Sequence, residues 1–302
     1  MQSLGPKLKI RKTRRGWGPR GKKANKSVKL TLFGSNANGI KSKKESLLNA
    51  MKSYDGPSCV LIQESKLRFP GTFKIQGYQI FEKTRKGLGG GLLTAIEESL
   101  APVLISSGSG DIELLVIQIL VGKNKIRIVN GYGPQETENK GKILEFWQEL
   151  EKEIIDAKEE GCMILIEMDA NAKLGSEIIK DDPNAISDNG KLLRDLLQRQ
   201  NLTCLNTHEL CDGTITRHRK TVLGDEKAVL DFIIVCDQLT SYFERMIVDE
   251  KRENILTKYA TSKGVRLKRE QAEAELCQAQ FKLRLFFLML IFFVFVFPVL
   301  KV

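Results

Sequence analysis

Cys162-Met163-Ile164-Leu165-Ile166-Glu167-Met168-Asp169-Ala170-Asn171-Ala172 joins an apolar run to a short polar tip. The run Cys162–Ile166 has strand length and predicts a buried strand, and the tip follows where such a strand leaves its sheet. The same grammar recurs outward in both directions. Upstream, the strand Val28–Phe33 leads to Asn36-Ala37-Asn38-Gly39-Ile40, and the strand Ser58–Ile62 to Gln63-Glu64-Ser65-Lys66. The strand Lys125–Asn130 leads to Gly131-Tyr132-Gly133-Pro134. Downstream, the strand Val229–Val235 carries Asp231 between Leu230 and Phe232. Ile75–Phe81, Gly91–Ile96 and Ile112–Val121 complete the predicted strands, and the closeness of Gly91–Ile96, Ile112–Val121 and Lys125–Asn130 suits an antiparallel meander. Helices are predicted over Lys41–Tyr54, Glu138–Glu159 and Lys191–Gln200. The second repeats Ile143, Leu144, Trp147, Leu150 and Ile154 at helical spacing and stops at Gly161. Strand pairs mixed with helices favour an α/β arrangement, either one mixed sheet or two packed sheets covered by helices, over strict βαβ repetition.

A chain of 302 residues and 34.0 kDa accommodates one large α/β domain with tails, or two small domains. With 42% hydrophobic and 28% charged residues it can build a sizeable core, which excludes a wholly disordered protein. The net charge of +11 belongs to one end: residues 1–29 hold 11 Lys and Arg and no acid, which leaves 37 basic against 37 acidic residues elsewhere. Residues 1–27 are almost devoid of apolar side chains and are expected to form a disordered basic arm, either gripping nucleic-acid phosphates, serving as a nuclear address or merely solubilising. No apolar stretch follows this arm, so an intracellular location, nuclear or cytoplasmic, is expected. The six cysteines are dispersed, which disfavours a disulfide framework. Cys204, His208, Cys211 and His218 raise a zinc reading, but their spacing matches no common finger and Cys204 lies in an alternating apolar run. After residue 270 the character changes: Gln271–Gln280 is helix-prone and Leu285–Leu300 is uncharged and rich in Phe. That segment falls short of the ~20 residues a spanning helix needs. It reads either as a short membrane contact or as translated sequence foreign to the domain.

Strand ends gather on one rim of a sheet, so Asn36, Asn38, Glu64, Tyr132, Asp169, Asn171 and Asp231 can converge. They form a hard-oxygen set suited to Mg²⁺. Singly, each has a plainer reading: Asn-Gly is a turn, Glu64 a solvated or capping carboxylate, and Asp169-x-Asn171 an Asx turn. Asp231 is more informative, because a lone acid inside an apolar strand is costly unless it is paired. The Gly87-Leu88-Gly89-Gly90-Gly91 run precedes a strand rather than opening a helix, so it reads as a hairpin turn and not as a phosphate cradle.

The order of these motifs over residues 28–270 resembles the endonuclease/exonuclease/phosphatase superfamily, and most of all the apurinic-type endonuclease domains of non-LTR retrotransposons. The resemblance rests on Asn36/Asn38, Gln63-Glu64, Tyr132, Asp169/Asn171 and Asp231 in that sequence, with Gly131-Tyr132-Gly133-Pro134 and Asp169-Ala170-Asn171-Ala172-Lys173-Leu174-Gly175 among the details. It implies a four-layer sandwich of two mixed or antiparallel β-sheets flanked by helices, and a Mg²⁺-dependent phosphodiesterase acting on DNA, with Mn²⁺ as a substitute ion. The same resemblance assigns Glu64 and Asn38 to the metal and Asp169 to the attacking water, which Asn36 and Asn171 position. Tyr132 falls to a phosphate oxygen, and Asp231 to orienting a histidine. DNA would meet the basic arm, residues 7–29, and the rim of the site; nothing points to a protein partner.

Two departures stand out. Met168 occupies the position of a family glycine, and no Ser-Asp-His follows Asp231; the only histidines, His208 and His218, precede it. The domain is therefore expected to lack its final motif and last strand, leaving an open sheet edge and a crippled enzyme. The alternatives are a non-catalytic nucleic-acid-binding remnant and a phosphomonoesterase or sphingomyelinase of the same superfamily.

Overall fold

The structure, a computed structural model, describes residues 30–53, 56–85, 89–221, 224–250 and 262–267. The basic arm and everything after residue 267, including the apolar stretch 285–300, lie outside the described residues. Among the described residues no helix is long and apolar enough to cross a membrane.

Two sheets carry the fold. The first has seven strands in the order β10-β14-β15-β1-β2-β4-β3. These are β1 (Leu30–Asn36), β2 (Cys59–Gln63), β3 (Tyr78–Lys83), β4 (Leu92–Glu97), β10 (Cys211–Asp212), β14 (Phe243–Val248) and β15 (Ser262–Leu267). The second has six in the order β5-β6-β7-β8-β13-β9. They are β5 (Val103–Ser106), β6 (Leu114–Val121), β7 (Asn124–Tyr132), β8 (Met163–Asp169), β9 (Leu202–Cys204) and β13 (Asp231–Cys236). A separate ribbon pairs β11 (Arg217–Thr221) with β12 (Gly224–Ala228).

The alternation of side chains along each strand sorts the apolar residues into layers. Leu32, Leu61 and Leu92 of the first sheet meet Ile117, Ile128, Leu165 and Ile233 of the second, forming the core between the sheets. On the outer face of the first sheet, Phe33, Val60 and Leu93 pack against Leu47, Ala50 and Met51 of α1 (Lys44–Ser53). On the outer face of the second, Val129, Ile164 and Ile166 receive α2 (Lys140–Glu159), through Phe146, Trp147, Leu150 and Ile154, and α3 (Asp188–Arg199), through Leu193 and Leu196. Both faces of the central strands are thus covered, which is why they read as continuous apolar runs. Asn139 caps α2 by accepting from the Gly141 amide at 2.8 Å, and Ser187 caps α3 by accepting from Gly190 at 3.2 Å. A short α4 (Asp237–Thr240) follows β13. The four expected layers are present.

One expectation is corrected. The anticipated meander does not form, because β4 pairs with β2 and β3 in the first sheet while β6 and β7 pair in the second. The tight turn at Gly122, with φ near +65°, forces β6 and β7 into a hairpin. The longer stretch from β4 to β6 lets the chain change sheets. β15 pairs antiparallel with β1, from Leu30↔Leu267 to Ser35↔Ser262, and with β14 on its other side, so β1 lies inside its sheet. Backbone donors and acceptors that an open edge would expose are thereby paired.

Register then places the polar tips. β1 and β2 run parallel with Asn36 level with Gln63, and β7 and β8 run parallel with Tyr132 level with Asp169. β13 is antiparallel to β8 and sets Asp231 opposite Asp169.

Candidate active site

The two sheets present their polar strand ends at the same rim, and one amide joins them. Asn36 Nδ2 donates to Glu64 Oε1 at 3.0 Å and to Asp169 Oδ2 at 2.8 Å, linking β1, the end of β2 and the end of β8. The Tyr132 hydroxyl donates to the same Glu64 Oε1 at 3.0 Å. Asn36, Glu64, Tyr132 and Asp169 therefore form one hydrogen-bonded cluster. The Asx turn anticipated for Asp169-x-Asn171 is present, with Asp169 Oδ1 accepting from the Asn171 amide at 3.2 Å, and Asn36 Oδ1 likewise accepts from the Asn38 amide at 3.1 Å. Turn and site use different atoms of the same side chains.

Asn171 Nδ2 donates to the Gly133 carbonyl at 2.8 Å, tying the end of β7 to the end of β8. Gly133 is required there, because a Cβ would run into the Ala170 carbonyl. Asp231 is 6% exposed, and its amide donates to Thr216 Oγ1 at 3.2 Å, beside the Leu230 amide on the same oxygen at 2.9 Å. Asp231 has interaction partners in this arrangement.

Seven non-glycine residues among those described have positive φ, and four of them, Asn38, Glu64, Lys66 and Asn171, lie on these tips. Left-handed backbone costs an L-residue of order 1–3 kcal/mol, and such strain concentrates at functional sites. Glu64 and Lys66 lack the local hydrogen-bonding facility of Asn, so this backbone costs more at these two than at Asn38 and Asn171.

Burial, and then the charges of Asp169 and Glu64, push the Tyr132 phenol well above its ordinary pKa, so it remains a donor throughout the physiological range. Lys66 Nζ donates to Asn38 Oδ1 and lies 3.5 Å from Glu64 Oε2, placing a cation between two of the anticipated metal ligands. Lys43 Nζ donates to the carbonyls of Ala37 at 2.7 Å and Asn38 at 3.1 Å, and burial first, then the charge of Lys66, holds its pKa below normal.

Among the described residues no group of three His, Cys, Asp or Glu forms a ready metal cage. Mg²⁺ needs only one or two carboxylates and completes its shell with water and phosphate oxygens. Glu64 and Asn38 already hold a cation in the Lys66 ammonium, so this donor set fits such an ion. Neither histidine lies on the tips: His208 accepts from the Leu210 amide and stacks edge-on against Phe243, and His218 lies on the β11–β12 ribbon. A cleft of about 530 Å³ opens beside Glu64 and Tyr132, lined also by Arg85, Asp111, Glu113 and Lys142.

Beneath the tips lies a polar layer that the motifs did not reveal. Gln63 Nε2 donates to Asn130 Oδ1 at 2.8 Å and to Glu167 Oε2, and Asn130 Nδ2 donates to Thr94 Oγ1 at 3.0 Å. All four residues are 0% exposed. A signal existed for Glu167, because it is an acid inside an apolar strand, the same feature that singled out Asp231. The Lys66 contact carried no such signal, since it depends on the turn after β2.

No family model and no curated protein matches the sequence. Solved structures do resemble it. The endonuclease domain of TRAS1, a telomere-specific non-LTR retrotransposon, aligns with a TM-score of 0.60 at 16% identity, over 80% of this chain and 99% of that one. The AP endonuclease LMAP from Leishmania major aligns at 0.64 and 14% identity, over 80% and 88%. The 3′ phosphatase NExo from Neisseria, bound to a product DNA hairpin, aligns at 0.59 and 14% identity, over 78% and 98%. Two packed mixed sheets between helices, with the polar strand ends meeting at one rim, give this chain the fold of the endonuclease/exonuclease/phosphatase superfamily.

Proposed function

We propose that the protein is a divalent-metal-dependent phosphodiester hydrolase of endonuclease type, of retrotransposon kind, acting on DNA at a reduced rate. The observation that carries this reading is the Asn36 amide bridging Glu64 and Asp169, carboxylates from different sheets and 105 positions apart in the chain. Structural stability alone offers no reason to gather two carboxylates at one strained rim.

Glu64 and Asn38 would hold Mg²⁺, with Mn²⁺ as a substitute, and the bound ion supplies Lewis-acid polarisation of a phosphate oxygen. Asp169, fixed by Asn36 and by its own turn to Asn171, would orient a water molecule and receive its proton. Tyr132, kept protonated, would donate to a phosphate oxygen as negative charge accumulates there. Asp231 stands level with Asp169, where the superfamily resemblance expects a partner for a histidine that this sequence lacks after position 231. The loss of a positioned acid–base group costs roughly 10²–10⁴ in rate.

Nicking of supercoiled plasmid in Mg²⁺ tests the reading, with Glu64→Ala and Asp169→Asn as controls. Slow nicking abolished by both substitutions supports it. Nicking that survives both refutes the site. The missing Ser-Asp-His favours one rival, a nucleic-acid-binding protein without catalysis; strongly salt-dependent DNA binding with no metal-dependent nicking would establish that rival instead.

A further inference from the structure

One side chain near the site is exposed without a structural need. Phe69 is 70% exposed, the highest value among the large exposed hydrophobics of the described residues and the one aromatic in that group. It sits five positions after Glu64, so the chain cannot carry it more than about 17 Å away. The loop that bears it is well anchored. Leu67 on one side and Phe73 on the other are buried at 4% and 5% exposure and join the α1 core, so Phe69 is not needed to hold the loop down. The Gly71 amide donates to Glu82 Oε2 of β3 at 2.7 Å, and Thr72 Oγ1 donates to the Phe69 carbonyl at 3.1 Å. The turn around Pro70 is thus tied at both ends, and the ring is presented by a fixed support.

The surroundings are cationic. Lys66, Arg68 and Lys74 are exposed on the same loop. Lys43 and Lys66 contact Asn38, and Lys44 of α1 lies over the Phe73 ring at 5.6 Å, which brings the start of the helix to this loop. A second flank of the site, the cleft bearing Asp111, Glu113, Glu138 and Glu145 together with Arg85 and Lys142, carries more acid than base. A polyanion approaching Glu64 is attracted to the first flank and repelled by the second.

We propose that the Phe69 turn is the nucleic-acid contact of this site: Phe69 stacks on an unpaired or unstacked base beside the bond that Glu64 faces, while Lys66, Arg68 and Lys74 engage the flanking phosphates. An exposed ring among cations has the chemistry of a stacking platform, because every base offers a π-face and the backbone offers the charge. A fully paired duplex has no free base face, so the occupant is a strand with at least one base out of its stack. This inference deepens the endonuclease reading, and its test is kept apart from cleavage.

Full-length protein in EDTA, where no metal-dependent cleavage occurs, is titrated into oligodeoxynucleotides carrying one 2-aminopurine, either single-stranded, in a gap, or within a blunt duplex. Wild type is expected to quench 2-aminopurine in the first two. Phe69→Ala should lose that quenching and bind those two roughly 5- to 100-fold more weakly. Its log-affinity should keep the same slope against log salt. Arg68→Ala should instead retain quenching and lower the slope by about 0.7–0.9. Phe69→Trp should restore both affinity and quenching, which separates stacking from a folding defect. Binding of Phe69→Ala within twofold of wild type, or an equal loss on the blunt duplex, would overturn the proposal. Because no step requires catalysis, failure of plasmid nicking leaves this result interpretable by itself.

Discussion

Replacing Asn36 by alanine removes the two amide donations that hold the carboxylates together, at 3.0 Å to Glu64 and 2.8 Å to Asp169. Hydrogen bonds to charged groups are worth about 1.5–3 kcal/mol each when little solvent competes. Asp169 is 7% exposed and merits the upper half of that range, whereas the Glu64 side chain, at 21%, is closer to the lower end. Tyr132 still donates to Glu64 in the variant, which limits the damage on that side. The net destabilisation of the metal-free protein at neutral pH is therefore about 3–4 kcal/mol. For a domain of this size that corresponds to a fall in Tm of roughly 6–16 °C. The assay is thermal denaturation by circular dichroism in EDTA at neutral pH, with Asp169→Asn alone and combined with Asn36→Ala. The double variant should fall short of additivity by roughly 0.5–3 kcal/mol. A Tm for Asn36→Ala within 1 °C of wild type, or strict additivity with Asp169→Asn, would refute the claim that this amide joins the two sheets at the rim.

Tyr132→Phe removes the donation to Glu64 and should lower the nicking rate by about 10²-fold or more if the phenol meets the phosphate; in absorbance titration at 295 nm, burial of both Tyr78 and Tyr132 should leave wild type with at least two tyrosines fewer titrating in the normal range than its composition implies. Mg²⁺ should raise the Tm of wild type and leave that of Glu64→Ala unchanged, the wild-type gain reaching about 2.7 kcal/mol at a hundredfold excess over Kd. Gly34→Ala would drive a methyl into the wholly buried Glu167 side chain and should cost about 1–3 kcal/mol, visible as a lower urea midpoint and partly relieved by Glu167→Ala. Burial raises the Glu113 pKa above its ordinary 4.5, so its contribution to stability is complete below pH 4.5 and declines as pH rises through the folded value. The stability margin of wild type over Glu113→Gln should narrow across that window, and a margin that widens with pH would contradict the burial argument.

Much of the architecture was legible because the central strands are covered on both faces. Cys162–Ile166, Ile112–Val121 and Ser58–Ile62 are apolar at nearly every position, and such runs announce buried strands without any alignment. Among the elements that escaped notice are two strands and a ribbon partner whose residues are largely polar. Arg217-His218-Arg219-Lys220-Thr221 and Gly224-Asp225-Glu226-Lys227-Ala228 pair as strands although their composition suggests a loop. Ser262–Leu267 likewise mixes Lys, Gly and Arg, and its place beside β1 comes from backbone pairing that no local pattern encodes. The site divides the same way. Asn36, Glu64, Tyr132 and Asp169 were recognisable because each follows or ends an apolar run. Lys66 and the Gln63–Asn130–Glu167 layer became visible only when the two sheets were stacked.

Periodicity along the chain is a local property, set by the alternation of side chains on a pleated backbone, and it suffices to say which segments are buried and where polar residues leave the sheet. Convergence is not local. Whether Glu64 and Asp169 meet depends on β1 and β2 pairing parallel, on β7 and β8 doing likewise, and on the two sheets packing with these ends on the same side. A reversed strand or a one-residue slip would leave every motif intact in the chain while turning its side chains to another face. Long-range pairing is what converts scattered strand ends into one hydrogen-bonded cluster.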